Sequence, residues 1–555
     1  MNISFVGTEE EIKFIQKRNT NLSKILWVPL SLDALVYLDL KNEEYINPLN
    51  YFTNLDHKKG IDFQKKYINL IKSSKNLKDS LLLRYNSIIG KFINSIFLII
   101  TIFNNLKKEI QIDSIIVSGW TENNYTSKNK NNFISLICSE IFKKEKVNFK
   151  TIKIIDYTIE HISYSYKLQK SKLPNEKYLL INNPFYNFKR IVPHAKKNNF
   201  KIYYFEFNEL GFLKKNFYKF SGINPIIIKR TFLKKELKIL KKNKRVIKYK
   251  YYDLTLLLNF KKILAENEIE NIKKQNKIIQ SFMLKRKPSI VIANLIRGFN
   301  GYLIELANKI NIPTLSISHG TLSKGLNKES IYFQKKISEE LISKKFTYIA
   351  CQSKIFLSFL KQMKIKKYIC TGNLIFSQTK PKKPKFILYA VTQRYFSNNH
   401  YYGIETFFEF YQNLKDFNNL AQTKKLNFMI KLHPNFSHLK DKLEKKFFNL
   451  KFTNEPLNKV LPFAKATISF SSSSIEDSLY SKVPVILYDP YGRYKHYKAC
   501  DISGKLNEPI YYIKNIKNLE ICLSSIISSE KIKFEKVIFK GDFENNFKKI
   551  FTSLK

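Results

Sequence analysis

Glycine is scarce in this 555-residue chain, with 15 residues where a typical protein would have about 7%. Arginine is scarcer still, supplying nine of the 97 basic residues. A protein that reads nucleic acid favours the planar arginine fork, and this chain has no arginine cluster or basic arm. The net charge of +52 comes from lysines spread along the whole length. Together with abundant Asn, Ile, Phe and Tyr, it is the composition that A/T-rich codons impose. Nucleic acid is therefore not the expected partner, although the charge would draw the protein to an anionic lipid surface. The five cysteines, Cys138, Cys351, Cys370, Cys500 and Cys522, form no C-x-x-C and no Cys/His cluster. That excludes a structural zinc site and points to a reducing compartment. No long apolar core follows the N-terminus, as a signal peptide would require. The most apolar stretch, FINSIFLIITIFNNL at 92–106, is short for a spanning helix and reads as a buried one. A cytoplasmic protein, resting at most on the inner membrane face, is the expected setting.

Apolar runs of strand length alternate with longer helical patterns, the signature of α/β layering. SIIVSGW (114–120), YLLINN (178–183), KIYYFEF (201–207), PSIVIANL (288–295), NIPTLSISHGT (311–321) and TYIACQS (347–353) read as strands. Residues 231–285 are lysine-rich and read as mostly helical. QTKPKKPK (378–385) interrupts the pattern as an interdomain linker. A second series then begins with FILYAVTQR (386–394), LNFMIKLHP (426–434), ATISFSSSS (466–474) and VPVILYD (483–489). The expected fold is α/β with two Rossmann-like doubly wound domains facing a cleft: an enlarged N-terminal domain over 1–377 and a C-terminal domain over 386–555.

In open parallel sheets, ligands bind beyond the carboxyl ends of the strands. The second series carries three polar clusters there: Thr392-Gln393-Arg394, His433-Pro434, and the serine run Ser471, Ser472, Ser473 and Ser474. The serines stand at a strand-to-helix turn, where free amides and the helix dipole favour an anion. Alternatively, Ser473 or Ser474 merely caps the helix IEDSLYSK. Lys431 and His433 fall on one side of their strand, with Pro434 fixing the turn after them. Arg394, Lys431 and Arg493 are cations suited to a leaving phosphate, and no Asp-x-Asp pair is placed as a metal-diphosphate site would need.

The order KLHP, then SSSSIEDSLYSKVPVI, resembles the C-terminal half of bacterial GT-B transferases that build surface polysaccharides. That group includes capsule-type Kdo and sialic acid transferases and the CDP-glycerol glycerophosphotransferases. SISHGT (316–321) and TGN (371–373) resemble the HGT loop and the pre-linker element of these families, and FILYAVTQR resembles the first strand of their nucleotide domain. The likeness spans about 285–490. It implies that His433 and one or more of Ser471, Ser472 and Ser473 hold the phosphate of a nucleotide-sugar donor. It also implies that Asp477, or its neighbour Glu476, contacts a ribose hydroxyl. The family usually carries glycine where this chain has Lys482. His319 is an acceptor-side or catalytic candidate. Among the strand-end acids Glu122, Asp156, Glu206 and Glu209, Glu122 is the preferred base for deprotonating an acceptor hydroxyl. The expected activity is metal-independent glycosyl transfer to an oligosaccharide or lipid-linked acceptor, with no cofactor beyond the nucleotide-sugar substrate. The alternatives are a polyol-phosphate transferase and a non-catalytic basic protein bound to RNA or membrane.

Overall fold

The structure is a computed structural model. It describes residues 1–18, 24–73, 76–77, 79–119, 133–145, 147–152, 158–169, 174, 176–182, 191–207, 222–239, 246–318, 322–326, 328–373, 376, 379–391, 407–469, 472–492, 497–500, 507–528, 532–540 and 543–552. Three parallel-type sheets organise the described residues, and two of them lie ahead of the linker. The first sheet contains β1 (Asn2–Val6), β2 (Ile25–Pro29), β3 (Ser114–Val117) and β4 (Asn148–Thr151), ordered β2-β1-β3-β4. The enlargement expected of the N-terminal half is thus a separate α/β layer.

The second sheet has eight strands. They are β5 (Thr158–Leu168), β6 (Tyr178–Ile181), β7 (Lys201–Glu206), β8 (Ile223–Ile239), β11 (Ile290–Ala293), β12 (Thr314–Ser316), β13 (Tyr348–Cys351) and β14 (Tyr368–Cys370). A two-stranded ribbon, β9 (Lys248–Tyr249) with β10 (Tyr252–Asp253), intervenes in the chain. The eight run in the order β14-β13-β12-β11-β6-β7-β8-β5, parallel except for β5, which pairs antiparallel with β8. The lysine-rich stretch expected to be mostly helical from 231 is in fact the far end of β8 as far as Ile239, and its helix starts only at Thr255 and runs to Lys285. Beyond Ile228, residues 229–234 are exposed, so no alternating burial marks them as a strand.

The third sheet takes its strands from beyond the linker: β15 (Phe386–Ala390), β16 (Phe428–Lys431), β17 (Lys451–Thr453), β18 (Ala464–Ile468), β19 (Val485–Tyr488) and β20 (Ile510–Ile513). All pair in parallel, in the order β17-β16-β15-β18-β19-β20. The order reverses direction between β15 and β18, and this makes a crevice at their carboxyl ends. The central strands are buried apolar runs, as expected of strands covered on both faces.

Packing joins the three layers. The apolar stretch 92–106 belongs to the helix Asp79–Glu109, which is long enough to cross a bilayer, yet 78% of its apolar window is buried inside the protein. Its Ile93, Ile96, Phe97, Ile100 and Phe103 form one core with β1, β3 and the helix Thr255–Lys285. Gly301 permits a close approach here, since a Cβ on it would meet Ile296 O at 2.1 Å and Ser80 Cβ at 2.6 Å. The first layer reaches the third through the helix Leu32–Leu40, whose Leu32, Leu35 and Val36 share a core with Tyr389 and Tyr411. Beside that core, Asp39 accepts from Tyr411 Oη at 2.7 Å and pairs with Lys446 at 2.7 Å. Despite its burial, Asp39 is held below the usual carboxylate range by these donors and Tyr45.

Glu11 sits at the carboxyl edge of the first sheet. It accepts from the Gly7 and Thr8 amides at 2.6 and 3.2 Å and receives Ser118 Oγ at 3.4 Å. Burial pushes its carboxyl up from 4.5 to about 7. The folded protein therefore holds this proton longer than the unfolded chain does. The stabilising contribution is complete below pH 4.5 and is lost as pH rises through 7. In Glu11→Gln that loss disappears. Between pH 4.5 and 8 the variant should gain on the parent by up to about 3 kcal/mol in urea unfolding, and a pH-independent offset between the two would refute this.

Candidate functional site

The carboxyl edge of the third sheet gathers the polar residues that follow its strands. Lys431 is the last residue of β16 and lies in register with Ala390 of β15 and Thr453 of β17. His433 follows, half-buried, and its carbonyl accepts from Phe436 N at 2.8 Å as the chain turns into a short 3-10 helix at Pro434. Lys431 Nζ donates to Leu432 O at 2.9 Å. Burial lowers this ammonium from its ordinary range, with Glu455 pulling the other way. Across the crevice, β18 ends at Ile468, and Ser469 donates to Ala390 O of β15 at 3.3 Å. The strand-order reversal is thus stitched at its base, with His433 and the serine turn on the strands beside it.

Within the serine run, Ser472 and Ser473 are half-exposed and Ser474 is buried. Ser472 Oγ accepts from Ser474 N at 3.2 Å, and its carbonyl accepts from Ile475 N at 3.1 Å. The capping expected of Ser473 or Ser474 is therefore supplied by Ser472, and Ser473 makes no side-chain cap bond. Ser474 Oγ lies 3.4 Å from Ser469 Oγ. The helix Ser474–Tyr480 is buried at every position.

Its two acids bind the helix to the second sheet. Glu476 Oε1 accepts the hydroxyl of Ser353, which follows β13 and caps the helix Lys354–Gln362. Asp477 Oδ1 accepts Asn373 Nδ2 at 2.6 Å, from the loop after β14. Tyr480 Oη donates to Gln352 O at 2.5 Å. Ile475, Leu479 and Tyr480 share a core with Leu315, Ile317 and Ala350 of the second sheet. The resemblance gives a ribose contact to Asp477 or its neighbour Glu476; in the structure one oxygen of each is engaged by the other domain. Ser353 and Asn373 went unnoticed as partners, though Asn373 lies in the TGN element.

Glu122, His319, Arg394 and Ser471 lie outside the described residues, as does Arg493. Where β12 ends toward His319, Ser316 and Ser318 are buried. The second sheet reverses strand order between β6 and β11. Asn182 and Asn294 follow those strands and are bonded across the reversal, Nδ2 to Oδ1, at 2.7 Å. Among the described residues, Asn182 Oδ1 and Ser316 Oγ are buried there without a partner. A separate cavity of about 750 Å³ opens between the second and third sheets. Lys324, Lys354, Tyr497, Lys498 and Lys536 are among its lining residues, and it shares none with the serine turn. No group of three or more potential metal-ligating side chains occurs among the described residues.

Lys482, where the resembled families carry glycine, has φ 60°, a left-handed conformation that costs an L-residue about 1–2 kcal/mol. Its side chain pairs with half-exposed Glu535 at 3.8 Å and lies over the Phe534 ring.

No family model matches the chain, and no curated protein sequence does. Solved structures similar to it include the UDP-GlcNAc 2-epimerase of Methanocaldococcus jannaschii, at 14% identity and TM-score 0.41, covering 68% of this chain and 98% of that one. Anabaena Alr3699/HepE with UDP and glucose matches at 11% identity and TM-score 0.36, covering 68% and 95%. The wall teichoic acid polymerase TagF matches at 12% identity and TM-score 0.36, covering 68% and 88%.

Two outcomes follow from this geometry. Asn373→Ala should cost about 1–3 kcal/mol by removing a donor from the buried Asp477 carboxylate, and far less in an Asp477→Ala background. Additive losses in that double-mutant cycle would show that the two do not interact. Lys482→Gly should melt no lower than the parent, with a gain of up to about 1 kcal/mol; a clear loss would mean that the Phe534 contact outweighs the backbone strain.

Proposed function

We propose that the protein is a GT-B-type glycosyltransferase of surface polysaccharide assembly. It moves a sugar from a nucleotide-activated donor to an oligosaccharide or lipid-linked acceptor at the cytoplasmic face. The observation that carries this reading is the third sheet's carboxyl edge. There, Lys431 and His433 after β16 and the half-exposed Ser472 and Ser473 after β18 flank a strand-order reversal, the crevice where doubly wound sheets take nucleotides. In this reading His433 and the Ser472–Ser473 hydroxyls donate to the departing phosphate, whose charge grows as the glycosidic bond breaks. Lys431 and Arg394 contribute positive potential, so no metal is required. Glu476 and Asp477 hold the serine turn against the second sheet. Glu122 or His319 takes the proton from the acceptor hydroxyl as its oxygen attacks the anomeric carbon and the nucleotide leaves with the glycosidic electron pair on its phosphate.

The motif order also suits a polyol-phosphate transferase, and one experiment separates the two. A melting panel of CMP, CDP, UDP and GDP should find one nucleotide that stabilises the chain, by roughly 2.7 kcal/mol at a hundredfold excess over its Kd. Its sugar conjugate should then be consumed in the presence of glycan acceptor, and His433→Ala should melt like the parent without the ligand and abolish both effects. A response to CDP-glycerol alone selects the polyol-phosphate reaction. Full activity in His433→Ala would remove the histidine from the mechanism. Steeply salt-dependent RNA binding with no nucleotide response would leave the basic binding protein.

A further inference from the structure

The two strands that end at the interdomain contact each carry a cysteine just before it. β13 and β14 run parallel, and Cys351 lies directly in register with Cys370. Neighbouring strands are about 4.7–4.9 Å apart, inside the Cα separation of about 4.4–6.8 Å that a disulfide accepts. Cys351 Sγ donates to Ser353 O at 3.5 Å. Cys351 is fully buried and lies two residues before Ser353, the donor to Glu476. Cys370 is partly exposed and lies three residues before Asn373, the donor to Asp477. The Cys370 carbonyl also accepts Asn546 Nδ2 at 2.7 Å, from the C-terminal helix Phe543–Thr552. Cross-linking this pair would therefore tie together the bases of both donor loops.

We infer that Cys351 and Cys370 form an oxidisable dithiol whose state sets how firmly the second sheet grips the helix Ser474–Tyr480. The oxidant is a hydroperoxide. Cys370 sulfur attacks the terminal peroxide oxygen, the O–O bond breaks, and an alcohol leaves, so that Cys370 becomes a sulfenic acid. Cys351 sulfur then attacks the Cys370 sulfur. The S–S bond forms, the S–O bond breaks, and water departs with the Cys351 proton. In total the two thiols give up two electrons and two hydrogens to the peroxide, and a dithiol reductant reverses the change. Cys370 reacts first because it is the exposed member. Its neighbour Cys351, helped by nearby Lys361, holds its thiol below the ordinary range, which enriches the reactive thiolate. The neighbouring Cys370 and burial push the Cys351 thiol up. Cys500 is also partly exposed, but it stands opposite Tyr511, which makes it an internal control.

The test uses the reduced full chain, folded, in a modest excess of hydrogen peroxide, followed by N-ethylmaleimide and peptide mass spectrometry. The expected product is a Cys351–Cys370 linked peptide that dithiothreitol releases. Cys500 should be oxidised without a partner, and Cys370→Ser should leave Cys351 a free thiol. Amides at Ser353 and Asn373 should exchange hydrogen several-fold more slowly in the oxidised protein. Cys370 carried to sulfinic acid beside a reduced Cys351, or both thiols untouched, would overturn the site. Equal exchange rates in the linked and reduced proteins would overturn its control of the contact. The parent's peptide map stands without any variant, so a misfolded Cys370→Ser protein would not rescue the proposal.

Discussion

Two adjacent carboxyls, Glu476 and Asp477, lie buried on a helix buried at every position, and burial of such groups is tolerated only where donors meet them. Two of these donors, Ser353 and Asn373, belong to a different sheet from the helix itself. The position of the serine turn is therefore specified by the other domain as much as by its own. β18 delivers the chain to the crevice, but the angle at which Ser472 and Ser473 face it depends on the ends of β13 and β14. A site between two domains requires such coupling, because residues from both must converge on one ligand.

The first sheet, which has no counterpart in a two-domain arrangement, touches both partners by polar contacts. Glu305 receives the Ser80 amide at 2.9 Å, and Arg84 reaches Glu268. On the opposite side Asp39 collects Tyr45, Tyr411 and Lys446. The helix Asp79–Glu109 is apolar on most of its surface because the helices 54–70, 255–285 and 298–309 enclose it.

Much of the second and third sheets was legible because their strands are buried on both faces. Runs such as FILYA and VPVIL leave no alternation to misread, and polar residues mark where each strand stops. β8 beyond Ile228 misled for the opposite reason. It pairs with β5 away from any core, so its lysines follow no strand period and suggested a helix. The edge residues His433 and the serines were recognisable as a cluster, since each follows an apolar strand. The partners of Glu476 and Asp477 were not. Ser353 lies 123 residues from Glu476, and Asn373 lies 104 from Asp477, and no local pattern encodes a hydrogen bond over such separations. The pairing of Cys351 with Cys370 was hidden likewise, because register is a property of the sheet and not of either strand.

The chain passes between the second and third sheets twice. It leaves through 379–385, where Lys382 N and Lys385 N each donate at 2.8 Å to the carbonyls of Pro462 and Phe463. It returns through 532–540 to the helix Phe543–Thr552, whose Phe551 packs 5.9 Å from Phe200. Severing either crossing would leave the two sheets joined by the other and by the core that Ile475, Leu479 and Tyr480 share with the second sheet.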